Sequence, residues 1–270
     1  MEWGHWGLTN FTIRLNNYWR GLTVLSSELF LSWTMNKWFK IFLLLSLVAC
    51  NPTNDFNPHN NYSFPALEGI SDANGTPYGP EIRYFIEPEL PDSLKDNWRY
   101  QLHDFSNNWY SSVLYKAREP ILYNQYIGRE LFRFTWLRSF TSDVVLVLEK
   151  TTEGVILIEK EVIRKVAPSP EGGHKLDYHL ISEKKVQLPS NAWYQFNELL
   201  EDRKYFDMFM YKELVAGNDG AEWILEWHHK SGYHVVNRWS PDERRHKDFP
   251  TICNFLIDLS SFKQDIRYWP

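Results

Sequence analysis

Four charged residues sit in stretches with strand-like alternation: Arg133 and Arg138 in "LFRFTWLRSF", Glu226 in "EWILEWHH" and Arg238 in "YHVVNRW". An arginine presents a planar fork of donors that grips a carboxylate, a phosphate or a sugar hydroxyl bidentately. If these strands are neighbours and the four side chains share a face, they line a pocket, and an envelope hydrolase or small-ligand-binding enzyme could work from it. The other arrangement is an Arg–Glu ladder, exposed or covered by a loop, in which each pair contributes little. Three histidines, His228, His229 and His234, lie on the two arms of "HHKSGYH". In some registers His228 and His234 become cross-strand neighbours, and two imidazoles on one face could start a metal site. No third ligand is identifiable by spacing, so no metal is expected. Eight tryptophans follow residue 50 and could stack on sugar rings, but most share the alternating or helical stripes of the aliphatic residues, which is the pattern of core packing.

Catalytic templates are absent from the sequence. It has no GxSxG elbow, no HExxH, no Walker A loop and no GxGxxG after a strand. No pattern implies a cofactor. Cys253 falls on the apolar face of a helical stretch, where a thiol resists ionisation and is a poor nucleophile. An activity is therefore not legible here, and the chain leans toward a non-enzymatic role.

The other cysteine closes a different kind of signal. In "MNKWFKIFLLLSLVACNPTND", Lys37 and Lys40 form a cationic start and Ile41 to Ala49 an apolar run, roughly a dozen residues if extended back to Trp38. That run is well short of the ~20 residues a bilayer-spanning helix needs. A cationic start and a short apolar run mark a secretory signal peptide. Leu47-Val48-Ala49-Cys50 resembles the lipobox of bacterial lipoproteins, and the resemblance implies that Cys50 receives a diacylglyceryl group and becomes the first residue after cleavage. The organisation expected is a translated upstream segment over 1–34 with initiation at Met35, a lipoprotein signal peptide over 35–49, a flexible tether over 50–80 and a single domain over 81–270. "NPTNDFNPHNN", with Pro52 and Pro58, suits such a tether.

These residues need elements to position them. Hydrophobic residues at 43% supply a core. "EIRYFIEP" (81–88) alternates as a short strand. Leu94, Trp98, Leu102, Phe105 and Trp109 recur at helical spacing. Three strands follow in "LFRFTWLRSF", "DVVLVLEKT" and "GVILIEKEVI", with "TTEG" as a hairpin signal, and a fourth runs near "DYHLISEKKVQL". "SNAWYQFNELLEDRKYF" predicts a helix with Ser190 available as N-cap. "EWILEWHH" and "YHVVNRW" form a hairpin through Lys230-Ser231-Gly232. "FPTICNFLIDL" places Phe249, Ile252, Cys253, Leu256 and Ile257 on one helical face. Short connections require antiparallel pairing. The expected fold is α+β: one mostly antiparallel sheet of about six strands with about three helices, mainly on one face.

"YSSVLYKAREPIL" (110–122), "FRFTWLRSF" (132–140) and "GAEWILEWHHKSGYHVVNRWSP" (220–241) resemble a family of uncharacterised bacterial secreted proteins and lipoproteins over most of residues 105–262. Lys230-Ser231 stands where that family has Asn-Gly. The resemblance implies an α+β domain and brings no catalytic assignment. The formal charge is −5, and residues 1–49 carry four cations against two carboxylates, so −7 remains from Cys50 onward. An acidic domain without clustered cations has no footprint for nucleic acid. The expectation is a cell-envelope lipoprotein with a binding or assembly role. Its partners would be the membrane, through the lipid on Cys50, and an envelope protein, a cell-wall component or a glycan. In lipoproteins of some diderm bacteria an aspartate after the cysteine retains the protein at the inner membrane; Asn51 stands there, which favours the outer membrane.

Overall fold

Alternation along a strand sends successive side chains to opposite faces of a sheet, and here each face meets a core of its own. The computed structural model describes residues 63–86, 98–169, 172–210 and 219–265. Among them, six strands form one antiparallel sheet in the order β4-β3-β2-β1-β5-β6. The strands are β1 (Glu130–Arg138), β2 (Asp143–Thr151), β3 (Gly154–Pro168), β4 (His174–Leu188), β5 (Ala221–His229) and β6 (Gly232–Trp239). The first four make a meander, and the β5–β6 hairpin attaches to the free edge of β1. Four helices accompany them: α1 (Trp98–Lys116), α2 (Asn191–Asp202), α3 (Glu243–His246) and α4 (Phe249–Leu259), with a 3-10 turn at Tyr205–Asp207. The single-sheet α+β expectation is borne out.

Phe132, Phe134 and Trp136 of β1, with Trp223, Leu225 and Trp227 of β5, pack against Phe196 and Leu200 of α2, Tyr205 of the 3-10 turn, and Ile252, Cys253 and Leu256 of α4. Trp193, Phe196 and Leu200 are buried on α2, and the whole face expected on α4 is buried, although the Ser190 side chain makes no cap bond. The intervening residues Leu131 and Leu137 of β1 and Ile224 of β5 face a second core. It is closed by Tyr110, Val113 and Leu114 of α1 and by two loops carrying Tyr84, Phe85, Ile121 and Leu122. Burying each large apolar side chain contributes about 1.5–3 kcal/mol, so both covers are firmly held. Of the eight tryptophans weighed as sugar-stacking candidates, Trp136, Trp193, Trp223 and Trp227 are buried in this packing.

Two expectations are corrected. Residues 81–86 are turn and bend rather than strand; the Tyr84 N–H donates to Ser111 Oγ of α1 at 3.0 Å instead of to a neighbouring strand. Part of the expected tether, residues 63–80, is built into the domain. The Ala66 N–H donates to the Asn124 carbonyl at 3.0 Å and the Ile121 N–H to the Gly75 carbonyl at 2.7 Å. Asn124 also brackets Leu67, accepting from its N–H at 2.7 Å and donating to its carbonyl at 3.0 Å. Residues 1–62, on which the expected signal peptide, Cys50 and the start of the expected tether fall, lie outside the described residues, as do 87–97 and Trp269. No helix among the described residues is long and apolar enough to cross a membrane.

Candidate functional site

The register decides what the sheet's charged residues do. Arg133 lies directly opposite Glu226 across β1 and β5, on the face covered by α1. Its Nε and Nη2 donate to the two carboxylate oxygens at 2.5 and 2.7 Å. Nη1 donates to the Pro120 carbonyl at 2.6 Å and lies 3.5 Å from Glu119 Oε2. Glu226 also accepts from the Tyr233 hydroxyl at 3.0 Å. The chain of charges continues outward: Glu119 Oε1 is 2.7 Å from Lys160 Nζ, which donates to the Ala117 carbonyl at 2.7 Å. Two cations thus answer two carboxylates. Burial alone would depress the Arg133 pKa, but the Glu226 and Glu119 carboxylates outweigh it and hold that pKa above its usual value.

The expected four-residue pocket is not formed. Arg133 and Glu226 are fully buried. Arg238 pairs across the ladder with Trp223, which puts it on the opposite face, over the Phe249 ring and donating to the Phe209 and Met210 carbonyls at 2.9 and 3.1 Å. Arg138 is at the far end of β1, with its guanidinium over the Trp136 ring. It donates to the Ser142 carbonyl at 2.6 Å and is ion-paired to Asp265. Of the four, only Arg133 and Glu226 form a covered Arg–Glu pair.

The histidines are separated in the same way. His234 pairs with Trp227 and His228 with Tyr233, so the two imidazoles face opposite sides. His228 Nδ1 is 2.8 Å from the Leu122 carbonyl and Nε2 accepts the Ile127 N–H at 3.3 Å, which fixes a neutral tautomer pinning the loop after α1. His234 contacts the Tyr205 carbonyl. Burial pushes both down to about 4. No cluster of metal-ligating side chains occurs among the described residues.

What the structure does open is a cleft of about 690 Å³ beside the C-terminus of α1. Three chain segments meet there: the turn at 74–77 with Tyr84, the end of α1 with residues 115–120, and residues 178–180 of β4, with Arg129 alongside. Its volume lies in the usual range for small-molecule sites, about 300–1,000 Å³. Tyr115 and the edge of Tyr178 contribute ring surface, and Lys116, Arg118 and Arg129 positive charge, while Tyr84 and Glu119 are buried beneath the wall. Burial pushes the Tyr178 hydroxyl up to about 12, so it stays a donor at neutral pH. The buried charge chain lies underneath: Arg133 holds Pro120 and Glu119 from below, and the Tyr84 hydroxyl donates to the Glu119 carbonyl at 2.8 Å. Arg133 therefore supports the cleft without entering it.

Sequence reading missed this cleft. The one local signal is Lys116 and Arg118 bracketing the end of a helix with no glycine to stop it; the other contributors are scattered from residue 74 to residue 180. Comparison of the chain with protein-family models, with curated proteins and with solved structures finds no match.

Proposed function

We propose that this chain is a lipid-anchored cell-envelope protein, held at the membrane by acyl groups on Cys50, whose domain binds or assembles envelope components. The observation that carries the reading is the unbroken order Lys37 and Lys40, a short apolar run, Leu47-Val48-Ala49-Cys50 and a polar, Pro-interrupted stretch. The resemblance to uncharacterised bacterial secreted proteins and lipoproteins points the same way, and Asn51 favours the outer membrane. What supports a binding role in the domain is its cleft of about 690 Å³, a volume in the usual range for small-molecule sites. The partner is an envelope protein, a cell-wall component or a glycan.

The test is intact mass analysis of the full chain made in bacteria fed labelled palmitate. The expected product begins at Cys50, carries acyl chains and loses all label in Cys50→Ala. An unacylated polypeptide beginning at Met1 or Met35 overturns the proposal.

A further inference from the structure

One charged side chain at the cleft has no hydrogen bond or ion pair among the described residues. Helix α1 ends with the Glu119 N–H donating to the Leu114 carbonyl and the Arg118 N–H to the Tyr115 carbonyl, both at 3.0 Å. This paired pattern places residue 118 in the left-handed conformation that usually falls to glycine, and Arg118 has φ +56°. A side chain there costs about 1 kcal/mol or more. Arg118 is exposed on the cleft wall, and its guanidinium makes no hydrogen bond or ion pair with any described residue.

The neighbouring charges are answered from within. Lys116 lies 3.7 Å from Asp177, whose other oxygen is 3.1 Å from His179. Arg129 forms a two-pronged pair with Glu149 at 2.7 and 2.5 Å. Glu119 meets Lys160 and Arg133. Arg118 is what remains among the described residues, a guanidinium fork on the cleft wall beside Tyr115. Asn74 and Thr76 add an amide and a hydroxyl to the same wall.

We propose that the cleft binds an oxyanion-bearing sugar. Arg118 holds a phosphate or carboxylate with Lys116 beside it; Tyr115 packs against the sugar ring, and Asn74 and Thr76 meet its hydroxyls. The planar fork suits either oxyanion, and aromatic rings with a polar tip suit a body that is apolar on its faces and wet at its edges. This names a ligand for the binding role proposed above, and it does not depend on acylation of Cys50.

The experiment is calorimetric titration of the full-length protein in detergent with glucose 6-phosphate, glucuronate, glucose and inorganic phosphate. At least one anionic sugar is expected to bind tenfold or more tightly than both glucose and inorganic phosphate, and to weaken with added salt. The phosphate and carboxylate arms tell which oxyanion is preferred. Arg118→Gly separates this role from a structural one, because glycine accepts the left-handed backbone. A cation near a helix C-terminus also favours the helix dipole, and a residue kept only for that would leave binding unchanged when replaced. The variant is expected to melt no lower than the parent by more than a few degrees, yet to lose tenfold or more in affinity. Equal or absent binding of all four probes, or parental affinity in Arg118→Gly, overturns the proposal. Either result with Cys50 acylated leaves the envelope-anchor reading standing, whereas an unacylated protein that binds the sugar reverses that outcome.

Discussion

Arg133 and Glu226 form a buried pair whose cost and value can be separated. Taking both charges out of water is expensive, so the pair as a whole adds little stability over well-packed apolar residues; removing one partner strands the other. Arg133→Met should lower the free energy of unfolding by about 3–5 kcal/mol in urea titrations, and Arg133→Met with Glu226→Leu should recover at least half of it. A double variant no better than the single one would show that the two residues do not act as a unit. The buried titrating groups give a second prediction. Burial pushes Asp143 and Glu222 up to about 7, so the folded state holds protons that the unfolded chain gives up; their contribution is full in acid and is lost as pH rises through about 7. His228 and His234, pushed down to about 4, contribute fully above about 6.5 and lose it as pH falls toward 4. From about pH 4.5 to 6.5 the two slopes oppose one another. Glu222→Gln removes one of them, so the variant should lose stability more steeply than the parent on acidification from pH 6.5 to 4.5. Parallel stability curves from urea midpoints at the two pH values would refute this.

Among the elements, the covers of the sheet matter more than the sheet for the cleft. One wall is the 63–80 segment, secured where the Gly75 carbonyl accepts the Ile121 N–H. Gly75 has φ +80°, and a Cβ there would lie 2.8 Å from the Ile121 carbonyl oxygen and 2.9 Å from Pro120 Cβ. Neither backbone nor proline can swing aside. Gly75→Ala should therefore cost about 1–3 kcal/mol and expose residues 63–80 to limited proteolysis well before the sheet; unchanged protection would count against the segment being part of the fold. Its turn-rich composition was legible in the sequence, but its docking was not, because Asn124 and Ile121 lie some fifty residues away along the chain. The same limit explains residues 81–86. They alternate like a strand, yet Ser111 on α1 supplies the partner that decides their conformation. The meander, the closing hairpin and helices α2 and α4 were legible because their signals are periods of two or three to four residues contained within each element.

At the scale of the whole molecule, the proposed anchor and the domain can be read by one chemical measurement. Cys253 is fully buried, and burial raises its thiol well above the usual range, so it should resist alkylation in the native protein. With Cys50 acylated, the purified chain should show no reactive thiol when folded and a single one in denaturant. A second thiol on denaturation would mean that Cys50 carries no lipid. The sequence by itself determined the α+β class and the apolar stripes of the meander, the closing hairpin and helices α2 and α4, since each of these is written in neighbouring residues. Only the tertiary structure decided which charges meet. Strand parity says that Arg133 and Arg138 point opposite ways, but a one-residue slip in pairing moves a whole strand's side chains to the other face, so Glu226 reaches Arg133 and Arg238 does not purely through register. The cleft is further still from the chain's local order, since its three segments share no pattern. They come together because the 63–80 turn is pinned to the loop after α1, the end of α1 to Lys160 and Arg133 of the sheet, and residues 178–180 belong to β4 itself.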